Sequence, residues 1–385
     1  MSDPTQTPPA TGDRPEAAEE VRPGPSSVEA AGPRTGLRRF WPSSTLAQHA
    51  LLMLLAFVGI VVLVETLSPF RVTQLAAMAY FVPAVAGLTV LTGISGQISL
   101  GHGAFMAIGG YTTALLLDNY ELPFLLIVLI AVALTALVGV AVGAAASRLH
   151  GPYLAGATLA FAVGLPGIAQ YRAEELGGDQ GLLVSAPEPP AWLEDVAFFI
   201  TGNELTRSKY VAYLGWFLAL VVLLLLSNLV KSGVGRRWRA VRDDEVAAEL
   251  SGVNLGRWRV LAFVVSAGCA GVGGALLAIV TGLVSPGSFG VFLSIFLLVG
   301  IVVGGLGSLL GAVIGSALLV FFIDSLTDLG HTLGLSTSQA ANTAPLAFGV
   351  FLIVIMLIAP QGIVGTIRVA WLKRKAARAA AGSGR

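Results

Sequence analysis

"LTGISGQISLGHGAF", residues 91–105, carries Ser, Gln, His and four glycines. It sits in a run between Arg71 and Asp118 that contains no Asp, Glu, Lys or Arg. A hydrocarbon layer about 30 Å thick is crossed by roughly 20 helical residues at about 1.5 Å each, so the run is long enough for two crossings. The quoted stretch falls where the two would meet. Polar side chains and backbone freed by helix breaks are tolerated in a membrane only where protein or a water-filled cavity covers them. The stretch therefore faces the interior of a bundle. Gly93, Gly96, Gly101 and Gly103 allow a neighbouring helix to approach closely, or the helix itself to break. Gln97, Ser99 and His102 can hydrogen-bond across helices or to a passing solute. Gly93, Gly96, Gln97, Ser99, Gly101 and His102 are thus the candidate lining of a translocation pathway, with ordinary helix packing as the other reading of each.

The whole chain supports that setting. Of its 385 residues 55% are hydrophobic and 12% charged, against about 25% charged in a soluble domain. The fold class is an all-α polytopic membrane protein. A net charge of +1 gives no sign of a nucleic-acid partner. The single cysteine, Cys269, cannot form an internal disulfide, and its apolar neighbours mark it as a packed residue. No catalytic or metal-ligating constellation is evident.

About ten transmembrane helices are expected, near residues 47–66, 72–92, 97–117, 122–146, 151–170, 209–230, 259–283, 288–306, 308–328 and 343–360. In the fifth, Gly164, Pro166 and Gly167 also allow a re-entrant segment. Residues 1–40, rich in Pro, Gly, Ser, Ala and charge, read as a disordered tail that cannot repay the entropy of folding. No cleavable leader is recognisable at the start, so the first span is expected to serve as the insertion signal. The membrane domain covers residues 45–366.

Positive residues near span ends mark the cytoplasmic side. They gather at Arg38 and Arg39, at Arg148, in the loop 231–258 with its immediate flank, and in a basic tail over 367–385. Acidic residues gather in 118–121, in the long loop 171–208, and at Asp324 and Asp328. One topology satisfies all of them, with both termini cytoplasmic, loop 171–208 outside, and an even number of spans. Only Glu65 and Asp324 come close to the spans as carboxylates, and His102 stands alone as a titratable group in its segment. That scarcity argues against coupling to an ion gradient. Glycines three to five apart occur again in "VGGLGSLLGAVIGSALL" at 303–319, as paired broken helices of two related halves would have them. Shared small-residue composition explains the likeness equally well.

A second segment, "GRRWRAVRDDEVAAELSGVNLGRWRVLAF" at 235–263, predicts a short helix in the basic loop. Asp243 or Asp244 can cap its start, acids there suit the positive end of the helix dipole, and Gly252 is placed to end it in a left-handed conformation. Val246, Leu250 and Val253, spaced by four and three, share one face. Such a helix suits docking into a groove on a partner, or lying on the lipid surface beside the basic residues.

These two segments, continued by "SIFLLVGIVVGGLGSLLGAVIGSALL" at 294–319 and "APQGIVG" at 359–365, resemble the membrane subunits of branched-chain amino acid ABC importers, specifically the longer M-type permease. The resemblance covers roughly residues 50–366. It implies an importer permease bundle in a bacterial inner membrane, paired with a second permease and driven by two cytoplasmic ATPases, with an extracytoplasmic binding protein delivering the solute. It also implies that the ATPase-coupling helix lies over Arg242, Asp243, Asp244, Glu245, Val246, Glu249, Leu250 and Gly252. No G-x-x-x-x-G-K-[ST] loop occurs in the chain, so ATP and Mg are expected in the partner subunits, with no cofactor on this one. Relatives of the same permease group handle urea or short amides, and more distant ones handle sugars, which leaves those solutes as alternatives. A secondary transporter or channel that works without ATP is the rival from another class.

Overall fold

Ser44 opens the first helix by accepting a hydrogen bond from the Ala47 amide at 3.2 Å. From there the chain is almost wholly helical in the computed structural model, which describes residues 44–149 and 151–382. The tail expected over 1–40 lies outside the described residues. The first five helices are α1 (Thr45–Thr66), α2 (Pro69–Leu88), α3 (His102–Asn119), α4 (Phe124–Ala146) and α5 (Pro152–Tyr171). The short helices α6 (Ala173–Leu176) and α7 (Ala191–Thr201) occupy the acidic loop, and α8 (Arg207–Lys231) follows. The basic loop holds α9 (Gly233–Asp243) and α10 (Glu245–Leu250). The chain then continues through α11 (Leu255–Thr281), α12 (Val291–Gly304), α13 (Leu309–Thr332), α14 (Thr337–Ile358) and α15 (Gly362–Gly382).

Ten long helices, α1–α5, α8 and α11–α14, fall on the ten expected stretches. Among the described residues nine helical stretches are long and apolar enough to cross a membrane, and α3 is not one of them. Its composition explains why: 18 residues that include His102, three glycines, two threonines, Asp118 and Asn119. A helix sheathed by protein need not be as apolar as one facing lipid, and α3 is buried along nearly all of its length, between α11, α4 and α5. The fifth expected span is a continuous helix with Pro166 inside it. The basic residues after 366 extend α15 to Gly382. Two residues of the acidic loop, Leu182 and Leu183 (β1), pair antiparallel with Val284 and Leu283 (β2), a small ladder that no alternation in the sequence announces.

α2 and α11 form the centre, and α1 and α14 expose most of their surface. α11 can sit in the middle because its face toward α3 and α4 is built of small residues. Gly271 lies against Thr135 of α4, and Gly274 against the Met106 backbone of α3. α12 and α13 cross in the same way, with Gly300 and Gly304 of one against Gly315 and Gly311 of the other, backbone on backbone. Without a hydrophobic driving force between helices in lipid, such close approach and interhelical hydrogen bonds hold a bundle together. Trp216 of α8 donates its indole N–H to the Leu75 carbonyl of α2 at 2.9 Å.

Both carboxylates that the sequence sets nearest the spans join helix to helix. Glu65 at the end of α1 accepts from Lys209 at 2.6 Å, Tyr213 at 2.5 Å and Asn203 at 2.9 Å. Asp324 of α13 accepts from the Gln74 amide at 2.5 Å, and Gln74 in turn accepts from Arg71 at 2.8 Å. At the opposite, basic end His49 of α1 lies between Asn228 at 2.9 Å and Lys231 at 2.6 Å on α8.

Candidate functional site

The opening stretch is a true break between two helices. α2 does not stop cleanly at Leu88 but widens into a π-helix over Thr89–Ile94, with the Ser95 amide reaching the Val90 carbonyl at 2.9 Å and the Gln97 amide reaching Leu91 at 3.0 Å. Gly96 then turns the chain at φ +78°, and irregular backbone runs to Gly101 before α3 begins at His102. Wide turns of this kind collect at functional sites. The freed backbone is covered by protein, as lipid demands. The Leu100 amide donates to Thr158 Oγ1 of α5 at 3.0 Å, and the Gly103 amide to Ser294 Oγ of α12 at 2.9 Å. Thr158 and Ser294 are thus part of the site although nothing in their local sequence marks them.

The six candidate pathway residues are gathered here, with different surroundings. Gly93 lies against the backbone of Gly307, itself in the loop between α12 and α13 at φ +82°. The two glycine-rich segments that look alike in the sequence therefore abut. Gly101 packs on the Thr158 backbone, Ser99 Oγ accepts from the Gly101 amide at 3.3 Å, and Gly96 sits under the Arg242 side chain. Gln97 donates to Ser95 Oγ at 2.7 Å and to the Arg259 carbonyl at 3.3 Å, while its side-chain Oε1 is buried without a partner. The His102 ring is fully buried against the Ala84 carbonyl, and neither ring nitrogen makes a hydrogen bond of normal geometry. Among the described residues no group of three or more His, Cys, Asp or Glu could hold a metal ion.

The basic loop folds into an elbow directly beside this break. α9 is anchored by Trp238, which is fully buried and donates to the Trp258 carbonyl at 2.9 Å. Asp244 ends α9 and caps α10, its carboxylate accepting from the Ala247 amide at 3.0 Å. Gly252 ends α10 at φ +81°, and the Val253 amide returns to the Ala248 carbonyl at 3.0 Å, the left-handed closure that satisfies the last carbonyls of a helix. Asn254 then caps α11 through the Arg257 amide at 3.0 Å.

Within α10, Ala248 turns inward while Val246 and Leu250 stand out, 68% and 86% exposed, and Glu249 is exposed beside them. Val253 departs from the expected face: it follows the Gly252 turn and is half-buried. Arg242 and Glu245 also point away from that outer face. Arg242 donates to the Gly93 carbonyl at 2.7 Å and to Asp243 at 2.7 and 2.9 Å. Glu245 pairs with Arg259, whose other guanidinium nitrogen reaches the Ser147 carbonyl at the end of α4 at 3.3 Å. A cavity of about 90 Å³ lies between elbow and break, lined by Ser95, Gly96, Gln97, Arg242, Glu245 and Arg259.

The turn at Gly96 gives a direct test of this geometry. A side chain in the left-handed region costs about 1–2 kcal/mol, and a Cβ there would also meet Arg242 Cγ at 2.7 Å. Gly96→Leu is expected to lower the thermal midpoint of the purified protein by several degrees. Gln97→Ala loses two modest hydrogen bonds of about 1 kcal/mol or less each and is expected to lower it less. A Gly96→Leu midpoint equal to the parent's would contradict the backbone turn described.

Both elbow and break lie inside the region that matches known proteins. Residues 70–360 match the family described as the permease component of branched-chain amino acid transport systems. Over 298 residues the chain is 32% identical to the high-affinity branched-chain amino acid transport system permease protein LivM of Escherichia coli K12, with 73% of this chain and 67% of that protein covered. The LivM protein of Salmonella typhimurium LT2 is 30% identical over 296 residues, with the same coverage of each. The permease protein BraD of Pseudomonas aeruginosa is 27% identical over 288 residues, covering 72% of this chain and 89% of that one. No solved structure matches the chain.

Proposed function

The chain belongs to the branched-chain amino acid transport permease family, and from that premise we propose how it works: two cytoplasmic ATPases drive it through α10. It is a multi-pass transport subunit, not an enzyme. The single observation that carries the coupling role is the capped helix α10, whose Val246 and Leu250 stand exposed at the basic end of the bundle. An apolar pair on a short, rigidly capped helix is what a groove on a partner can hold. The basic loop then lies in the cytoplasm by the distribution of positive charge, with both termini on that side, in a bacterial inner membrane. A second permease completes the pathway, and an extracytoplasmic binding protein delivers the amino acid to the acidic side.

The solute in this reading is a branched-chain amino acid, a zwitterion with an aliphatic side chain. Opening of the break would offer it backbone and side-chain hydrogen bonds between Gly96 and His102, where Gly96 and Ile98 are already exposed while Gln97, Ser99, Gly101 and His102 are buried and Gly93 is held by Arg242. Weak holding favours release. ATP binding and hydrolysis shift the populations of inward- and outward-facing states, because the ATPases contact α10 differently in each.

Reconstitution tests the reading. Proteoliposomes holding this chain, a sister permease, the two ATPases and a leucine-binding protein are expected to take up leucine only with ATP, with isoleucine and valine competing. Leucine flux through the lone chain, unchanged by ATPases and nucleotide, would replace an importer with a passive pore.

A further inference from the structure

We propose that the elbow divides its work between two faces: Val246 and Leu250 hold the ATPase, while Arg242 and the Glu245–Arg259 pair carry its displacement into the helix break at Gly93–Gln97. This rests on the reading of α10 as the ATPase contact. It reassigns Arg242 and Glu245, which the family resemblance places among the partner-contacting residues, to an inward, positioning role, and it adds Arg259.

Arg242 lies in the last turn of α9, next to the Asp243–Asp244 hinge that starts α10. One guanidinium nitrogen donates to the Gly93 carbonyl at 2.7 Å, and the other two hold Asp243 at 2.7 and 2.9 Å. The carbonyls that end a helix lack partners within it and carry its negative pole, so a cation there both satisfies and stabilises them. The aliphatic stem of the same side chain covers Gly96, where even a methyl group would meet Cγ at 2.7 Å. Hinge and break therefore share one side chain.

The second tie runs through Arg259. Glu245 is the first residue of α10 and its carboxylate pairs with the Arg259 guanidinium, which also reaches the Ser147 carbonyl at the end of α4. The Arg259 carbonyl accepts from Gln97 at 3.3 Å. Arg259 is only 8% exposed against 46% for Glu245. Only the Arg259 side of the pair is desolvated, so what opposes stretching is the cost of taking a partner from that buried guanidinium. A displacement of α10 pulls on residues 93, 96 and 97 together. Through the backbone contact of Gly93 with Gly307 it also reaches the loop between α12 and α13. The adjoining cavity of about 90 Å³ leaves the break room to move.

The test uses the assembled complex in proteoliposomes and reads three quantities: ATPase subunits that co-purify, leucine uptake, and ATP hydrolysed per leucine taken up. Arg242→Ala is expected to keep its ATPases while uptake falls about tenfold or more and the ATP consumed per leucine rises correspondingly, the size of a typical coupling free energy. Arg242→Lys retains a cation that can reach the Gly93 carbonyl and is expected to recover part of the uptake. An unchanged ratio in Arg242→Ala would overturn the proposal, as would loss of ATPases in proportion to uptake, which would make Arg242 a docking residue. Should Arg242→Ala fail to accumulate, Glu245→Gln is read by the same three quantities and the same criteria. Failure of the parent complex to couple uptake to ATP is a separate outcome: it would remove the importer reading, and the division of the elbow with it, before any variant is compared.

Discussion

Gly274→Leu is expected to abolish accumulation of the folded bundle, whereas Gly164→Leu leaves it intact. A Cβ on Gly274 overlaps the Met106 carbonyl oxygen and would lie 2.7 Å from the carbonyl carbon and 2.9 Å from the Gly110 nitrogen. All three are backbone atoms of α3, so no rotamer change relieves the clash and the two helices must separate. Ordinary overpacking costs about 1–3 kcal/mol. Here the cost is expected at or above about 3 kcal/mol, because it falls on main chain rather than on yielding side chains. α3 is also the long helix whose composition least tolerates lipid, and separation leaves the buried His102 and Thr113 without their cover. Gly164 on α5 is exposed, and a Cβ added there would have nothing within 4 Å. Size-exclusion profiles and thermal midpoints of the two variants check the pair of expectations. A monodisperse Gly274→Leu protein with the parent's midpoint would mean that α11 and α3 do not pack as described.

Leu250→Asp is expected to weaken ATPase association at least about tenfold while the amount of inserted permease stays near normal. Burying a leucine side chain is worth about 1.5–3 kcal/mol, and a carboxylate in its place adds the cost of desolvating a charge. At about 1.4 kcal/mol per decade the loss corresponds to roughly tenfold or more. Nothing in the fold of this chain depends on Leu250, which is 86% exposed, so the effect should be confined to the complex. Titration of ATPase onto immobilised permease measures it. Undiminished binding would move the docking surface elsewhere and leave α10 without the role assigned to it.

Local chemistry made part of this structure legible in the sequence. Asp244 and Gly252 mark the ends of α10 because a cap depends on residues two or three apart, and both do what their types and positions suggest. The positions of the long helices follow from runs of apolar residues. α3 follows less directly, since apolar length alone omits it and only its place between two clear spans brings it in. The break at 91–105 is legible as glycines and polar groups that a lipid-facing helix would not carry.

What could not be read is whatever joins distant segments. The Arg242 bond to Gly93 spans 149 positions, and neither residue type announces the other. Gly93 against Gly307 is a backbone contact, for which the sequence records only two small residues among 47 glycines. Val253 satisfies the helical spacing of Val246 and Leu250, but the left-handed turn at Gly252 interrupts the helix before it, and spacing cannot see a turn in handedness. Pro166 suggests an interruption in α5, yet the helix passes through it, because in a packed bundle neighbours and local adjustment absorb one missing hydrogen bond.

The widened turn at Thr89–Ile94 holds one residue more than α-helical winding would. An α-helix advances about 100° and about 1.5 Å per residue, so rewinding that turn would swing everything beyond it by about that angle and push it along by about one residue's rise. The rest of α2 would stay as it is. A stored residue of this kind works like slack in a screw thread: a small pull at one end would be converted into rotation of the carbonyls and amides that follow it.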